Sequence, residues 1–569
     1  MVSKRTGNTS RAKRKAVEAA VPEVVELAYN LFELPSAQHK AGLSGLLLFL
    51  RSMEERELSP RPEILELTEA TVRLGLSRKA LQAMFDDLYA VDEIEAKSPS
   101  KWKGETPIRE EIITDKQGKT KTVFVYPLTV PRARWLSFWE ADGEGAWLKL
   151  WRDMLWKTLR AIPKTRDEYL KTKTSGYYDL NNLWIEITTS AQQRRKVSCS
   201  LMLGAQDENA EQVPFGARGQ DKLLLHFWTL VCPIFVPRLL KTKGGAIEST
   251  YAGFVLALPE PANITDFVDQ HRNYLRKLNP VTVGMRPKDA LVDLPEEGGL
   301  EYLFQLAQIR TDKSLDDSLV CGLEMHHLEK VGNSVKVRSV ESIRPRSGLL
   351  GQYEKLRGKV ANPVYKQMRL ANLLAARRWH ADAQRFFNEY PYPVFIHGPK
   401  TPRWIRFFGA DVKRYLEDRR QDAAVKGGTM PPDDVFSLKV YQMVRNWVNQ
   451  RVEEKSGLRY AQFKDNKNEQ DHVIYPKDYR EAKEKICADA FLAMRGRNSQ
   501  DFVEYFVGNI CAVPHFLPEQ DYVLVSRRLL DDWETVKTLA MLALSAVSYV
   551  PGGRTEEAVA EVDLPAEDE

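Results

Sequence analysis

The length and composition of the chain exclude several classes of protein. Its 569 residues are too many for one ordinary hydrophobic core, and 43% hydrophobic with 28% charged residues indicates a folded globular protein rather than a disordered or membrane-embedded one. Five cysteines, an odd number without a C-x-x-C pair, argue against a disulfide framework and a zinc module, so we expect a cytoplasmic protein. The longest apolar runs are too short to cross a bilayer, so we expect no membrane partner.

The formal net charge of +5 is distributed unevenly along the chain. Residues 343–420 contain 17 basic and 6 acidic side chains, whereas residues 430–569 are net acidic. Such a concentration of cations predicts phosphate binding through charge neutralisation and counterion release. An ordinary solvated helical surface is the alternative interpretation.

The N-terminal part of the chain mixes helical and strand-like patterns. Residues 21–88 have a helical pattern, in which Ser36 is a plausible N-cap and Gly42 and Gly45 would let a second backbone approach closely. Helical stretches and strand-like runs then alternate irregularly, so we expect no simple doubly wound sheet. The strand-like runs are residues 108–113 and 123–130, which flank a turn and predict a hairpin, and 183–189, 197–203, 253–258, 319–331 and 334–340. The helical stretches include residues 147–159 and 264–278.

Beyond residue 360 the pattern is almost entirely helical. Four helical blocks predict a C-terminal bundle, at residues 436–454, 477–494, 500–510 and 526–549. We therefore predict an α+β fold, with a mixed N-terminal body that contains antiparallel hairpins, followed by a C-terminal helical bundle. The expected parts are a flexible basic arm (1–20), a mixed α/β body (21–342), a basic, mostly helical segment (343–429), a helical bundle (430–550) and an acidic tail (551–569).

The sequence contains no recognisable catalytic or metal-binding motif. The densest group of ionisable side chains is His326 and His327 with Glu324 and Glu329. Alternate side chains of a strand point to opposite faces, so Glu324 and His326 would share one face and His327 and Glu329 the other. We therefore expect a structural or nucleic-acid-facing role for this group, and no catalytic residue, metal or cofactor. His39 is expected to be a packed core residue.

Cations beside flat side chains or amides are the best candidates for nucleic-acid contacts. Two segments of the basic stretch alternate cations with aromatic rings, and two loops, residues 171–182 and 192–196, place cations beside amides that can reach groove edges. Buried aromatic residues and ordinary surface loops are the alternative interpretations. The candidate DNA- or RNA-binding residues are Lys171, Lys173, Asn181, Asn182, Gln192, Gln193, Arg194, Arg195, Arg377, Arg378, Arg403, Arg406, Lys413 and Arg414.

Residues 30–48, NLFELPSAQHKAGLSGLLL, resemble the N-terminal signature of the Cmx-type family of type I CRISPR large subunits, which is found with type I-B-like systems. The resemblance implies a non-catalytic subunit of a Cascade surveillance complex that serves antiviral defence. Its body would lie beside the repeat-derived handle of the guide and inspect the short motif that flanks the target, the PAM. Its bundle, which would resemble a Cascade small subunit, would line the displaced DNA strand.

The resemblance also implies a set of partners. These are the guide CRISPR RNA, the target double-stranded DNA, the backbone, handle-binding and small subunits of Cascade, and a downstream helicase-nuclease or transposition proteins. Two other classes remain open from the residues alone, namely a nuclease with an unfamiliar site and a purely structural scaffold. Met430 lies in a glycine- and proline-rich linker, residues 427–432, and is either a candidate internal translation start or part of a flexible joint.

Overall fold

In the computed structural model the chain forms two compact units. The first comprises residues 1–238 and 251–350, and the second comprises residues 239–250 and 351–569. The structure describes residues 22–114, 120–139, 145–158, 180–188, 194–197, 201–203, 215–243, 246–310, 319–332, 334–396, 408–426, 431–467, 473–515 and 517–550. No helix within these ranges combines the length and apolar character that a membrane crossing requires.

The strands lie in the first unit, apart from the tip of one hairpin, residues 239–250, which belongs to the second. They are β1 (Val24–Asn30), β2 (Glu63–Leu67), β3 (Thr71–Ser77), β4 (Val91–Ser98), β5 (Arg109–Thr114), β6 (Thr120–Pro131), β7 (Arg194–Lys196), β8 (Gly216–Arg218), β9 (Ile234–Lys243), β10 (Ala246–Tyr251), β11 (Phe254–Pro261), β12 (Thr282–Val283), β13 (Arg286–Pro287), β14 (Leu291–Val292), β15 (Val320–Val331) and β16 (Ser334–Ile343). The larger sheets have the strand orders β1-β3-β2, β4-β6-β5 and β10-β9-β11-β15-β16, and β14 pairs with β9.

Several helices of the first unit pack against these strands. The helices of this unit are α1 (Ala37–Glu55), α2 (Arg78–Leu88), α3 (Arg134–Trp139), α4 (Ala146–Thr158), α5 (Leu180–Thr188), α6 (Gly219–Leu224), α7 (Ile264–Arg276) and α8 (Pro295–Ile309). The helices that follow are α9 (Leu349–Leu356), α10 (Pro363–Leu374), α11 (Ala383–Glu389), α12 (Phe408–Lys426), α13 (Pro432–Ser456), α14 (Lys477–Arg495), α15 (Ser499–Tyr505), α16 (Glu519–Asp531) and α17 (Trp533–Ser548). A π-helical turn, Phe506–Ile510, extends α15.

Helix α1 is the central element of the first unit, since 15 of its 19 residues are buried. The Ser36 side chain caps its N-terminus by accepting a hydrogen bond from the backbone N–H of His39. A Cβ atom at Gly42 or Gly45 would overlap the carbonyl oxygen of Leu224 or Phe227, so both glycines are needed for a close backbone approach. The predictions for the cap, for the two glycines and for the buried His39 are therefore confirmed.

The second unit is built around α17. All residues of α17 from Val536 to its end are buried, and the helix packs against α12, α13 and α14. A Cβ atom at Gly409, in the first turn of α12, would overlap the carbonyl oxygen of Ser545, so α12 and α17 also meet backbone to backbone. One continuous hydrophobic core joins residues of α10, α11 and α12 to residues of α13 through α17.

The predicted fold class is confirmed. The hairpin of β5 and β6, the strands β11, β15 and β16, the helices α4 and α7, and the first three bundle blocks lie where the patterns placed them. The arm, the linker residues 427–430 and the acidic tail lie outside the described residues. The proposed domain boundaries remain predictions.

Four predicted elements differ from the structure. Residues 183–189 were expected to form a strand, but Leu180, Leu183, Trp184 and Ile187 are buried at helical spacing on α5. The helical pattern of residues 21–88 is interrupted by β1, β2 and β3, the last of which alternates buried and partly exposed residues. The expected helix 526–549 is divided at Asp532, whose side chain accepts a hydrogen bond from the backbone N–H of Thr535 and caps α17. Of the expected strand 197–203, residues 201–203 form a turn.

We expect Gly45→Ala to destabilise the first unit by about 1–3 kcal/mol, because the added methyl group would push α1 away from Phe227. The matched control is Gly351→Ala in α9, where a Cβ atom meets nothing within 4 Å. Alanine there should leave stability unchanged or raise it by about 0.5–1 kcal/mol, the helix propensity difference. Urea unfolding of both variants measures the effect, and an unchanged midpoint for Gly45→Ala would contradict the close approach.

Candidate nucleic-acid interface

Six of the candidate residues lie outside the part of the chain that the structure describes. These are Lys171, Lys173, Gln192, Gln193, Arg403 and Arg406. Their assignment to nucleic-acid contacts therefore stays a prediction from the sequence.

Asn181 and Asn182 lie in the first turn of α5 rather than in a loop. The side-chain oxygen of Asn181 accepts a hydrogen bond from the guanidinium group of Arg78, at the start of α2. The Asn182 side chain is exposed. Buried residues on the opposite side of α5 fix this helix, so its two amides have a defined direction.

Arg194 and Arg195 lie on β7, a short strand that pairs with β8. The Arg194 side chain is exposed, and its position in the ladder is opposite Arg218. Arg218 forms a bidentate ion pair with the buried Asp221, with N–O distances of 2.6 and 2.9 Å. The cation opposite Arg194 in the ladder is therefore already neutralised by Asp221.

Most of the candidate cations in the basic stretch have acidic neighbours. Arg377 pairs with Asp382 at 2.5 Å, and Arg378 pairs with Asp433 at 3.0 Å. Arg414 pairs with Asp411 at 3.5 Å and donates a hydrogen bond to the carbonyl oxygen of Lys359. The arginine side chains are about half-exposed, so the pairs of Arg377 and Arg378 are surface ion pairs that contribute little to stability. The Asp411 partner of Arg414 is buried, and burial raises the pKa of that carboxyl to about 7.

Trp379, the flat side chain beside Arg377 and Arg378, is 8% exposed and belongs to the core of the second unit. Its ring packs 4.5 Å from that of Tyr415. The Arg369 guanidinium lies 4.2 Å from the Tyr415 ring centroid and 5.7 Å from that of Trp379. The indole therefore packs in a cation–π cluster and presents no open face for a base.

Three cations from three helices of the second unit form a group in which two of them act electrostatically on the third, Lys483. They are Lys413 on α12, Arg445 on α13 and Lys483 on α14, and we call them the cation group. Burial is the main cause that lowers the pKa of Lys483 to about 8; the nearby Cys487 opposes this shift, and the positive charges of Lys413 and Arg445 add to it. Lys413 has Glu417 4.0 Å away, but among the described residues no ion pair joins Arg445 or Lys483 to a carboxylate.

A row of tyrosine rings runs beside the cation group. The Lys483 ammonium lies 5.7 Å from the ring centroid of Tyr479. The Tyr479 ring stacks on Tyr475 at 6.0 Å, and Tyr475 stacks on Tyr460 at 6.1 Å, both with interplanar angles of 29°. We call these three residues the tyrosine row. Arg445 lies 5.9 Å from the ring centroid of a fourth tyrosine, Tyr441.

Sequence patterns pointed to only one member of these two sets, Lys413. The members of the two sets are separated by up to 70 positions along the chain, and the cations meet only through the packing of α12, α13 and α14. The four-residue spacing of Tyr475, Tyr479 and Lys483 was the single signal that could have indicated them, although only Tyr479 and Lys483 lie on α14 and Tyr475 precedes it.

The histidine group of β15 divides between the two faces of the strand, as predicted. His326 pairs with Glu324. Burial lowers the pKa of His327, and the neighbouring Glu329 opposes that effect. Among the described residues, no group of three or more histidine, cysteine or carboxylate side chains could hold a metal ion.

Family comparisons cover most of the chain. The pattern of the type I-B CRISPR Cas8b N-terminal domain matches residues 62–316, and that of the type I-B CRISPR Cas8b C-terminal domain matches residues 320–547. No curated protein matches the chain. Both halves of the family pattern are present in the correct order, and they agree with the resemblance carried by residues 30–48. The chain therefore belongs to the Cas8b family, the large subunits of type I-B CRISPR complexes.

Proposed function

We propose that the chain is a non-catalytic large subunit of an RNA-guided DNA-targeting complex, and that its second unit binds the phosphate backbone of a nucleic-acid strand through the cation group. The observation that supports this proposal is the convergence of Lys413, Arg445 and Lys483 from three helices. Two of these cations have no carboxylate partner among the described residues.

Like charges that converge are costly unless an anion neutralises them. The repulsion contributes to the lowered pKa of Lys483, which means that the charged form of this side chain is destabilised in the free protein. A phosphate group would remove the repulsion and stabilise the charged form. A polyanion with regularly spaced phosphates is therefore a better match to the cation group than a small neutral ligand is.

The rest of the proposed role follows from the family. Base pairing between guide and target would supply sequence matching, so the protein needs only a phosphate-binding surface and a short groove-reading element. We propose that the chain binds the handle region of the guide RNA and the target DNA, reads the flanking motif, and helps to recruit a helicase-nuclease or transposition proteins. It would work in the cytoplasm with the backbone, handle-binding and small subunits of Cascade.

Replacing Arg445 and Lys483 together by glutamine should weaken binding of single-stranded DNA irrespective of its sequence. Phosphate contacts release about 0.7 counterion each on a single strand, so the salt dependence should flatten by about 1.4 on a logarithmic scale. Arg385→Gln is a control that removes an exposed cation elsewhere in the second unit, one that pairs with Glu389. Fluorescence titrations of the full-length chain at several salt concentrations measure both quantities.

Three outcomes of that experiment would contradict the proposal. An unchanged salt dependence in the double variant would indicate a scaffold rather than a nucleic-acid-binding surface. An equal loss in Arg385→Gln would indicate a general charge effect. Cleavage of the strand that depends on a divalent metal and survives purification would indicate a nuclease.

The affinity for an oligo-dA strand should fall by about tenfold between pH 7 and pH 9.5, which corresponds to about 1.4 kcal/mol. Lys483, whose pKa is about 8 in the free protein, is charged below that pH and loses its proton above it. Bound phosphate raises this pKa, so the loss of affinity continues above pH 8. Adenine carries no titrating group in this range, and burial keeps the neighbouring Cys487 thiol neutral by raising its pKa to about 12.

Lys483→Arg is the decisive variant for this pH dependence, because a guanidinium group keeps its charge throughout the range. Its affinity should stay flat between pH 7 and pH 9.5, while Lys483→Gln should be flat and weak. If the arginine variant retains the full pH dependence, another group is responsible.

Alanine at Asn181, Asn182, Gln192 or Gln193 should change the preference for the flanking motif more than the overall affinity, since amides pair with base edges. Binding of the assembled complex to a library of target-flanking sequences measures the preference. An identical motif in all four variants would assign motif reading to other residues.

A further inference from the structure

We infer that Tyr460 is a stacking platform for an unpaired base of a single nucleic-acid strand whose phosphate the cation group binds. This inference deepens the proposed function and rests on it, since it names the part of the ligand that the neighbouring surface recognises. The chemistry is that of a planar base, and either a DNA or an RNA strand could supply it.

The first step is the graded exposure of the tyrosine row. Tyr479 is 2% exposed, Tyr475 is partly buried and Tyr460 is 44% exposed. Since Tyr460 stacks on Tyr475, which stacks on Tyr479, the row runs from the core of the second unit to its surface and ends in an open ring. Phe463 packs edge-on against Tyr460 at 5.7 Å and supports it from the side.

The second step is that the segment carrying Tyr460 is held in place. Helix α13 ends at Gly457, whose φ of 69° suits glycine and whose N–H donates to the carbonyl oxygen of Glu453. The backbone N–H of Arg459 donates to Gln462 at 2.9 Å, and the Arg459 guanidinium pairs with Glu453 at 2.5 Å. A ring that is already fixed loses little entropy when a base stacks on it.

The third step is the position of the cations. Lys483 lies against Tyr479, so the row of stacked rings begins at the cation group and ends at the open ring. Proteins that bind single strands without sequence preference combine a basic path for the backbone with aromatic rings for the bases. Trp379 shows the contrast, because its ring is buried between Arg369 and Tyr415.

The test uses the full-length chain with two matched strands, one DNA and one RNA, that contain 2-aminopurine, whose fluorescence is quenched by stacking. Tyr460→Ala should weaken binding by about tenfold, within the range that single base–aromatic contacts contribute, and should abolish quenching at saturation. The salt dependence should stay unchanged, because no charge is removed. Tyr460→Trp should restore both affinity and quenching.

Tyr392→Ala is the matched control, because Tyr392 also lies on a 3-10 turn of the second unit and is 38% exposed. It should bind and quench as the unchanged protein does. Unaltered quenching in Tyr460→Ala, or an equal loss in Tyr392→Ala, would overturn the inference. The strand that binds more tightly identifies the natural ligand, and either result supports a base on Tyr460.

The two proposals fail in different ways. If Arg445→Gln with Lys483→Gln leaves the salt dependence unchanged while Tyr460→Ala loses quenching, the phosphate site is wrong and the stacking site stands. If the salt dependence flattens and quenching survives in Tyr460→Ala, the phosphate site stands and the stacking inference is overturned.

Discussion

The close approach of backbones at buried helical glycines is the constraint on which both units depend. In the first unit, Gly42 and Gly45 let α1 lie directly on the carbonyl groups of Leu224 and Phe227. The Gln38 side chain on α1 accepts a hydrogen bond from the backbone N–H of Leu203, and Lys40 forms an ion pair with Glu260 at the end of β11. Moving α1 outward by one methyl group would therefore disturb a helix, a turn and the central sheet together.

In the second unit, Gly409 allows the same close approach of two backbones, between α12 and α17. Because the core is continuous from α10 to α17, these helices of the basic stretch and of the helical bundle share one hydrophobic core. A chain that began at Met430 would lack α12 and would leave the face of α17 around Ser545 uncovered. Such a fragment would need another surface to cover that face, so its stability would depend on a partner.

Sequence patterns predicted those elements whose core residues are close together in the chain. Ser36, Gly42 and Gly45 act within three helical turns, and the β15–β16 hairpin pairs neighbouring residues. The patterns failed where packing between distant segments decides the structure. Residues 183–189 resembled a strand because they are rich in branched and aromatic residues, but Trp184 and Ile187 pack on one helical face. Asp532, a single capping residue, divides what an unbroken apolar pattern presents as one helix.

The candidate site shows why charge density along a sequence is a poor guide to a binding surface. Arg377, Arg378 and Arg414 stand in the most basic stretch of the chain, yet each finds a carboxylate in the folded unit. Arg445 and Lys483 come from the net acidic region and have no such partner among the described residues. Folding thus neutralises cations where acids are within reach and leaves charge where three helices bring cations together. In the proposed function a nucleic acid would contact this residual charge, and such a surface can be recognised only once the helices are in place.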